Sequence, residues 1–445
     1  MNKKNVTIVV LVALIVAGTI FVVNDGMLRV LGFVFNPGRG TVSEFEPTLD
    51  ITHILTREEA IEDIDYILNR VRTRHPACIR GLPEDLIEQS RIEKENLPEE
   101  VSVLQLWQAA TRILAVLGDS HTNAWLHIDD YMYRIPAYFE FTDGVLYLTD
   151  DEFESCAVIN IGGIKPDELY QTYKSQFPHE REEFVIHCFP NMVRWRHMLA
   201  FMGVDVSGGV AVVFETADGE VTVTYDFIER EVTEDDETTF ASHEIDGENS
   251  VGVFTVYSFN FDDFEVFREA VRDFFTDVKD NEVQTIVVDL RENLGGRSGH
   301  IYYFLRYLDV ERYFDYENSF RYGPFVWTWK SEERKNNKFD ELLFSGDVYV
   351  LTSVQTYSAA TIFAFMISDN GIGKIVGEAS GQVPSFYAGV LPFQTPNAKL
   401  QLGVSGGFSR RPDKSKCELF LEPDYPVTAD EALEKVYMLL QQKNA

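Results

Sequence analysis

Between Asp347 and Gly377 the chain reads DVYVLTSVQTYSAATIFAFMISDNGIGKIVG, and few folds admit that order of residues. Val348–Leu351 is a short apolar run suited to a buried strand. The polar stretch Thr352–Tyr357 interrupts it. From Ser358 onward, Ile362, Phe363, Phe365 and Met366 recur on a helical face until Asn370-Gly371 stops the helix. Lys374–Val376 then begins another strand. Ser358 therefore stands at the mouth of a helix, beside unpaired N–H groups and the positive end of the helix dipole. Two readings fit a serine in that place. It is a helix N-cap, or it is a nucleophile whose developing oxyanion is met by backbone N–H groups.

The same alternation runs through residues 232–445. Val251–Val256 is an apolar strand and Phe261–Val278 an amphipathic helix. Thr285–Leu290 (TIVVDL) is apolar throughout, as a strand covered on both faces must be. After Gly295-Gly296 a helical pattern resumes over Gly299–Leu308, and Thr428 with Glu431 caps a terminal helix. Strands alternating with helices predict an α/β layer with parallel strands, whose sites lie where strands end. Two adjacent glycines at such an edge let backbone approach a ligand closely.

Earlier segments differ. Residues 55–129 are helical in pattern. Thr56 and Glu59 form a capping box, Ile61 to Val71 mark a buried face, and His75-Pro76 ends the helix. A second helix spans about 101–117, closes at Gly118, and is followed by Asp119-Ser120-His121-Thr122. A histidine there is a solvated loop residue or a functional one. Residues 130–231 read as strands and turns, with hairpin signals at Asp143-Gly144 and Asp218-Gly219. Residues 25–54 read as a linker.

The 72 acidic and 39 basic side chains leave a net charge of −33, which argues against nucleic-acid partners. Lys3 and Lys4 precede the uncharged run Val6–Val23. That run is long enough to span a bilayer, so residues 1–24 are expected to be a single-pass membrane anchor, with a cleaved signal peptide as the rival. Either way the bulk of the chain is expected outside the cytoplasm. The four cysteines, Cys78, Cys156, Cys188 and Cys417, form no CxxC pair, which disfavours zinc and thioredoxin-like chemistry.

The run TIVVDLRENLGG, followed by VYVLTSVQTYSAATIFAFMISDNGIGKIVGE, resembles the core of the tail-specific (C-terminal processing) and tricorn-core serine peptidases. In that family an apolar strand enters DLRxNxGG, and a second strand enters a Ser-Ala-rich turn carrying the nucleophile. An aspartate follows the nucleophile at the spacing of Ser358 and Asp369. The resemblance covers about residues 240–430, and more weakly the helices ending in Gly-Asp-Ser-His-Thr and the β-rich segment. It implies a crotonase/ClpP-like αβ core with a β-rich PDZ-like module, and serine peptidase activity on protein or peptide substrates without metal or cofactor.

The resemblance also assigns roles. Family members with a Ser-Lys dyad carry GEPTFGK after the last strand; here Gln382 falls where the lysine would be, and Lys374 is too early to replace it. The tricorn-like branch pairs serine with a remote histidine, which Ser120-His121 matches. His121 is thus the expected base, with His300 as runner-up, and His75 reads as a structural or surface residue. Ser120 and Glu418 would hold the imidazole. The N–H of Gly295 or Gly296, with that of Ala359, would bind the oxyanion. The rival reading is a catalytically inactive protein that binds an apolar ligand or peptide on the same fold.

Overall fold

The computed structural model describes residues 26–127, 133–149, 155–229, 240–260 and 264–444. Its centre is a six-stranded sheet. In spatial order the strands are Ala241–Asp246, Val251–Val256, Thr285–Asp289, Asp347–Thr352, Lys374–Gly377 and Tyr425–Pro426. The first pair is antiparallel and the other pairings are parallel. Every residue of Thr285–Asp289 is buried, as its unbroken apolar pattern predicts. One face is covered by the helices Phe264–Asp280, Gly299–Leu305 and Ala359–Asp369, which share a core with Phe254, Ile286 and Val350. The other face is covered by the terminal helix Ala432–Asn444, through Ala432 and Val436. The helix Ala359–Asp369 is buried from Ala359 through Ile367, consistent with its nearly all-apolar sequence.

A second, antiparallel sheet packs beside this layer. Its strands run Phe325–Trp329, Glu317–Tyr322, Gln401–Arg410 and Phe386–Gln394. The short strand Asn123–Trp125 pairs with Gln401–Gly403 of the same sheet. Glycines at 389, 403, 406 and 407 break the apolar pattern of the strands Gln401–Arg410 and Phe386–Gln394. At Gly406 and Gly407 the Phe320 ring lies where a Cβ would be, so the side-chain gap is filled from the neighbouring strand.

The β-rich module is a five-stranded antiparallel meander. It runs in chain order through Tyr138–Thr142, Val145–Thr149, Cys156–Ile161, Val210–Thr216 and Gly219–Tyr225. The helix Pro166–Gln176 lies between the third and fourth of these strands. Two more helices, Glu182–Met192 and Arg196–Phe201, were not foreseen, and Pro190 inside the first obscures its period. One continuous core joins this module to the helices Arg57–Arg74 and Val103–Ala115, with Trp107 fully buried between them.

Residues read as a linker dock along this body. They begin with the helix Gly26–Val34, and Phe35 packs on Phe325 at 5.7 Å between ring centres. Thr48 N–H donates to His127 O at 2.7 Å. The apolar run Val6–Val23 lies outside the described residues. Among the described residues no helix is long and apolar enough to cross a membrane.

Asp369, at the end of the helix that Ser358 opens, is fully buried and pairs with the buried Arg411 at 2.7 Å. Its carboxylate also accepts from the Asp413 N–H and lies 3.1 Å from Lys416 Nζ. Its place in the motif is thus structural: it ties the helix Ala359–Asp369 to the end of the strand Gln401–Arg410. Arg411→Ala would leave a buried carboxylate short of its main partner. We expect a loss of about 3 kcal/mol, measured by denaturant unfolding; a loss below about 1 kcal/mol would contradict this role.

Candidate active site

Three loops at the carboxyl ends of the central strands are bound into one unit by Asn293. Its Nδ2–H donates to Val256 O at 2.8 Å, and its Oδ1 accepts the Gly295 N–H at 2.8 Å. Its carbonyl accepts the Tyr357 N–H at 3.0 Å. Asn293 is fully buried, so each of these bonds is shielded from water. The serine loop is tied to the same strand end, because Thr356 Oγ1 donates to Leu290 O at 2.9 Å.

This clamp presses the glycine turn against Ser358. A Cβ on Gly295 would lie 2.6 Å from Ser358 Cβ, and one on Gly296 would lie 2.3 Å from the Phe259 carbonyl carbon. Their φ values of 101° and 137° are also outside the range that side chains favour. Only glycine fits at either position.

Ser358 has φ 50° and ψ −118°, an uncommon backbone for a residue with a side chain. Such strain costs of order 1–3 kcal/mol and is held by the surroundings. Its hydroxyl does not cap the helix. Instead Oγ lies 3.1 Å from Nε2 of His121, across 237 sequence positions. The N-cap reading of Ser358 is therefore incorrect, and the serine and histidine that the sequence singled out meet.

Strand pairing makes that meeting possible. Asn123–Trp125, just past His121, is bonded to Gln401–Gly403. Thr122 Oγ1 accepts the Ser405 N–H at 2.9 Å and donates to Asp119 Oδ2 at 2.6 Å. Asp119 Oδ1 accepts the His121 N–H at 3.0 Å and lies 4.0 Å from His121 Nδ1. The Phe386 ring stacks on the imidazole, 5.7 Å between centres at 9°.

Asp119 is in turn held by His75, whose Nε2 lies 3.0 Å from Asp119 Oδ2 with both side chains fully buried. His75 Nδ1 accepts the Ala77 N–H, so the proton on Nε2 faces the carboxylate. Burial acts to raise the Asp119 carboxyl's pKa, but the hydrogen bonds from His75 and Thr122 prevail and hold it below the usual range. His75 is structural and is one contact removed from the site.

Several assignments are corrected. Glu418 is exposed, and its carboxylate accepts from Ser385 Oγ at 2.6 Å rather than from the imidazole. Ser120 likewise does not hold His121. Its Oγ donates to Glu180 Oε1 at 2.9 Å and lies 2.5 Å from Tyr357 Oη, which also bonds Glu180. Burial, with Glu180 beside it, raises the Tyr357 phenol's pKa well above its usual value, so this hydroxyl stays a donor. Gly295 cannot serve the oxyanion, because its N–H is spent on Asn293. The N–H groups of Gly296 and Ala359 have no acceptor among the described residues. His300 is buried against Phe259 and Phe267, and its Nδ1–H donates to Arg297 O at 2.6 Å. Burial lowers its pKa. Lys374 is engaged by Asp424 at the surface, 2.8 Å away.

Glu180 and Gln382, besides Asp119, stand at the site with no role assigned from the sequence. Glu180, in the β-rich module, comes within hydrogen-bonding reach of the serine loop. Gln382 is fully buried; its Oε1 accepts the Ser358 N–H at 2.6 Å and its Nε2 lies 3.4 Å from His121 Nδ1. Asp119, His121 and Glu180 each place a ligand atom within 4.8 Å of the others, a spacing that can hold a metal ion. Their oxygens already accept from Thr122, His75, Ser120 and Tyr357.

Ser358 and His121 open onto a cavity of about 620 Å³. Its walls include Tyr316, Phe320, Trp329, Ile362, Phe386 and Phe408. A strained serine, an imidazole within reach of it, two free N–H groups and an adjacent groove are the parts that acyl transfer needs.

Residues 250–427 match the family model described as peptidase family S41. The chain carries a family S41 serine peptidase domain. The crystal structure of mature CPAF aligns with 86% of this chain and 96% of that one, with a TM-score of 0.62 at 13% identity. CPAF complexed with lactacystin aligns with 87% of this chain and 97% of its own, with a TM-score of 0.60 at 14% identity. The photosystem II D1 C-terminal processing protease aligns over 86% and 97%, at a TM-score of 0.47 and 14% identity. At these identities the two CPAF structures show a shared fold. No curated protein sequence matches the chain. The matched residues take in five of the six central strands, the helix Ala359–Asp369 and the glycine turn, while His121 and Glu180 come from outside them.

The Asp119 carboxyl, depressed in the fold, stabilises the fold fully above the unfolded carboxylate value of about 3.9. That contribution is lost as pH falls through the lower folded value. Asp119→Asn should therefore destabilise the protein at pH 7 and cost less at pH 3, compared by urea unfolding. An equal cost at both would contradict the direction of this shift.

Proposed function

We propose that this chain is a serine endopeptidase that cleaves extended protein or peptide segments through an acyl-enzyme on Ser358. The observation that carries the reading is the 3.1 Å contact between Ser358 Oγ and His121 Nε2, at the foot of an open groove beside two unengaged N–H groups. His121 Nε2 takes the Oγ proton as Oγ bonds to the substrate carbonyl carbon. The carbonyl oxygen becomes an oxyanion, which the N–H groups of Gly296 and Ala359 stabilise; one such donor is typically worth about 10²–10³ in turnover. The imidazolium then gives its proton to the departing amine as the C–N bond breaks. Water, deprotonated by the same imidazole, releases the acyl group and returns the proton to Oγ.

Asp119 orients His121 through its backbone N–H, and faces Nδ1 when that nitrogen carries the proton. Glu180, Ser120 and Tyr357 fix the serine loop against the β-rich module, whose arrangement of strands and helices supports a PDZ-like, peptide-holding role. A carrier of an apolar ligand would not need serine, base and oxyanion donors in register. The apolar run Val6–Val23 after Lys3 and Lys4 supports a membrane-anchored enzyme acting on exported or membrane-associated substrates.

Cleavage of an unstructured protein by the full chain tests the reading. Ser358→Ala should abolish it, and His121→Ala should lower kcat/KM by about 10²–10⁴. Unchanged cleavage in either variant would overturn the assignment.

A further inference from the structure

Gln382 reaches the catalytic pair from a third loop, and its two bonds determine more than position. A backbone N–H can only donate, so the amide atom 2.6 Å from the Ser358 N–H is the oxygen. The other end is then the NH₂ group, which also can only donate, and it lies 3.4 Å from His121 Nδ1. Nδ1 must therefore be the accepting nitrogen, and the proton of the neutral ring sits on Nε2. Nε2 faces Ser358 Oγ at 3.1 Å. In this arrangement the imidazole donates to the serine, whereas a general base must accept from it.

We propose that Gln382 is a positioning residue that biases the resting site toward the less reactive histidine tautomer, and that release of its amide raises the enzyme's activity. The inference rests on the peptidase reading above. On release, the ring loses a proton from Nε2 to water and gains one on Nδ1, with no net change in charge. The Nδ1–H then turns toward Asp119 Oδ1, now 4.0 Å away. The Nε2 lone pair is left for the serine proton. The same release frees the Ser358 N–H.

The surroundings allow this to be a switch. Asp119, Glu180 and the Tyr357 hydroxyl are the titratable groups that face His121, and Phe386 covers one face of the ring. None of these supplies an acceptor to Nδ1 at hydrogen-bonding distance in the resting state, so the amide alone decides which nitrogen is protonated. Gln382 lies next to Gly381, where an added Cβ would come within 2.8 Å of the Phe184 ring of the β-rich module. Arg181 of that module donates to Ser380 O. A peptide engaging the module can thereby act on the loop that carries Gln382.

The direct test is nitrogen NMR of the full chain with ¹⁵N-labelled histidine, at a pH where the ring is neutral. His121 is assigned by the loss of its signals in His121→Gln. The proposal expects a protonated Nε2 and a bare Nδ1 in the wild type, and the reverse in Gln382→Glu, whose carboxylate accepts from both Ser358 N–H and Nδ1–H. Protonated Nδ1 in the resting wild type would overturn it. This readout needs no substrate, so it decides the tautomer even where the proteolysis experiment fails.

Kinetics supply the second arm. Gln382→Glu should raise kcat/KM by about tenfold or more, toward the roughly 10⁴ that a triad carboxylate contributes over its amide. It should also move the acid limb of the pH profile up by about one unit, because a carboxylate favours the imidazolium. Gln382→Met removes both bonds and should leave that limb in place. If Glu and Met variants lose activity alike with unmoved profiles, Gln382 is only structural and the proposal fails.

Discussion

The site depends on a short ladder of backbone hydrogen bonds. Asn123–Trp125 pairs with Gln401–Gly403, and Thr122 adds a side-chain bond to Ser405 one step further. Those bonds bring the imidazole, which the chain carries 237 positions before the serine, to within 3.1 Å of the hydroxyl. The loop could not hold that place by itself, since fixing each residue's backbone costs about 1–2 kcal/mol. Sheet pairing orders Asn123–Trp125, and the buried His75–Asp119 pair orders the residues on the other side. The imidazole is left between two anchored ends.

The serine side is held by another route. Asn293 joins three strand ends, and the two glycines let the turn approach Ser358 more closely than any side chain would allow. The strained φ of Ser358 persists because Gln382 holds its N–H and Asn293 O holds the N–H of the residue before it. The buried Asp369–Arg411 pair fixes the far end of the same helix. Apart from the Asn293–Gly295 turn, each of these bonds connects elements distant in sequence.

Much of this was legible in the residues. The buried strand TIVVDL, the strand–turn–helix around Ser358 and the glycine turn follow from local pattern, because period and punctuation report local structure. Ser358 and His121 were chosen by motif, and the geometry unites them. What was missed is non-local. Glu418 was favoured for its position near the carboxyl end, yet the carboxylates beside the site are Asp119 and Glu180. No spacing rule connects Glu180, in the β-rich module, with Tyr357. Gln382 was read only as the absence of a lysine, because one sequence does not reveal which atoms an amide will face. The antiparallel sheet escaped notice because its glycines are packed by Phe320 from a neighbouring strand.

The joining of hydroxyl and imidazole is the claim from which the rest follows, and active-site labelling measures it most directly. The full chain is treated with a fluorophosphonate, and the adduct is located by mass spectrometry in the wild type and in His121→Ala. The account predicts a single adduct on Ser358 in the wild type, forming far more slowly in the variant. An unlabelled Ser358, or equal labelling rates in both proteins, would contradict it.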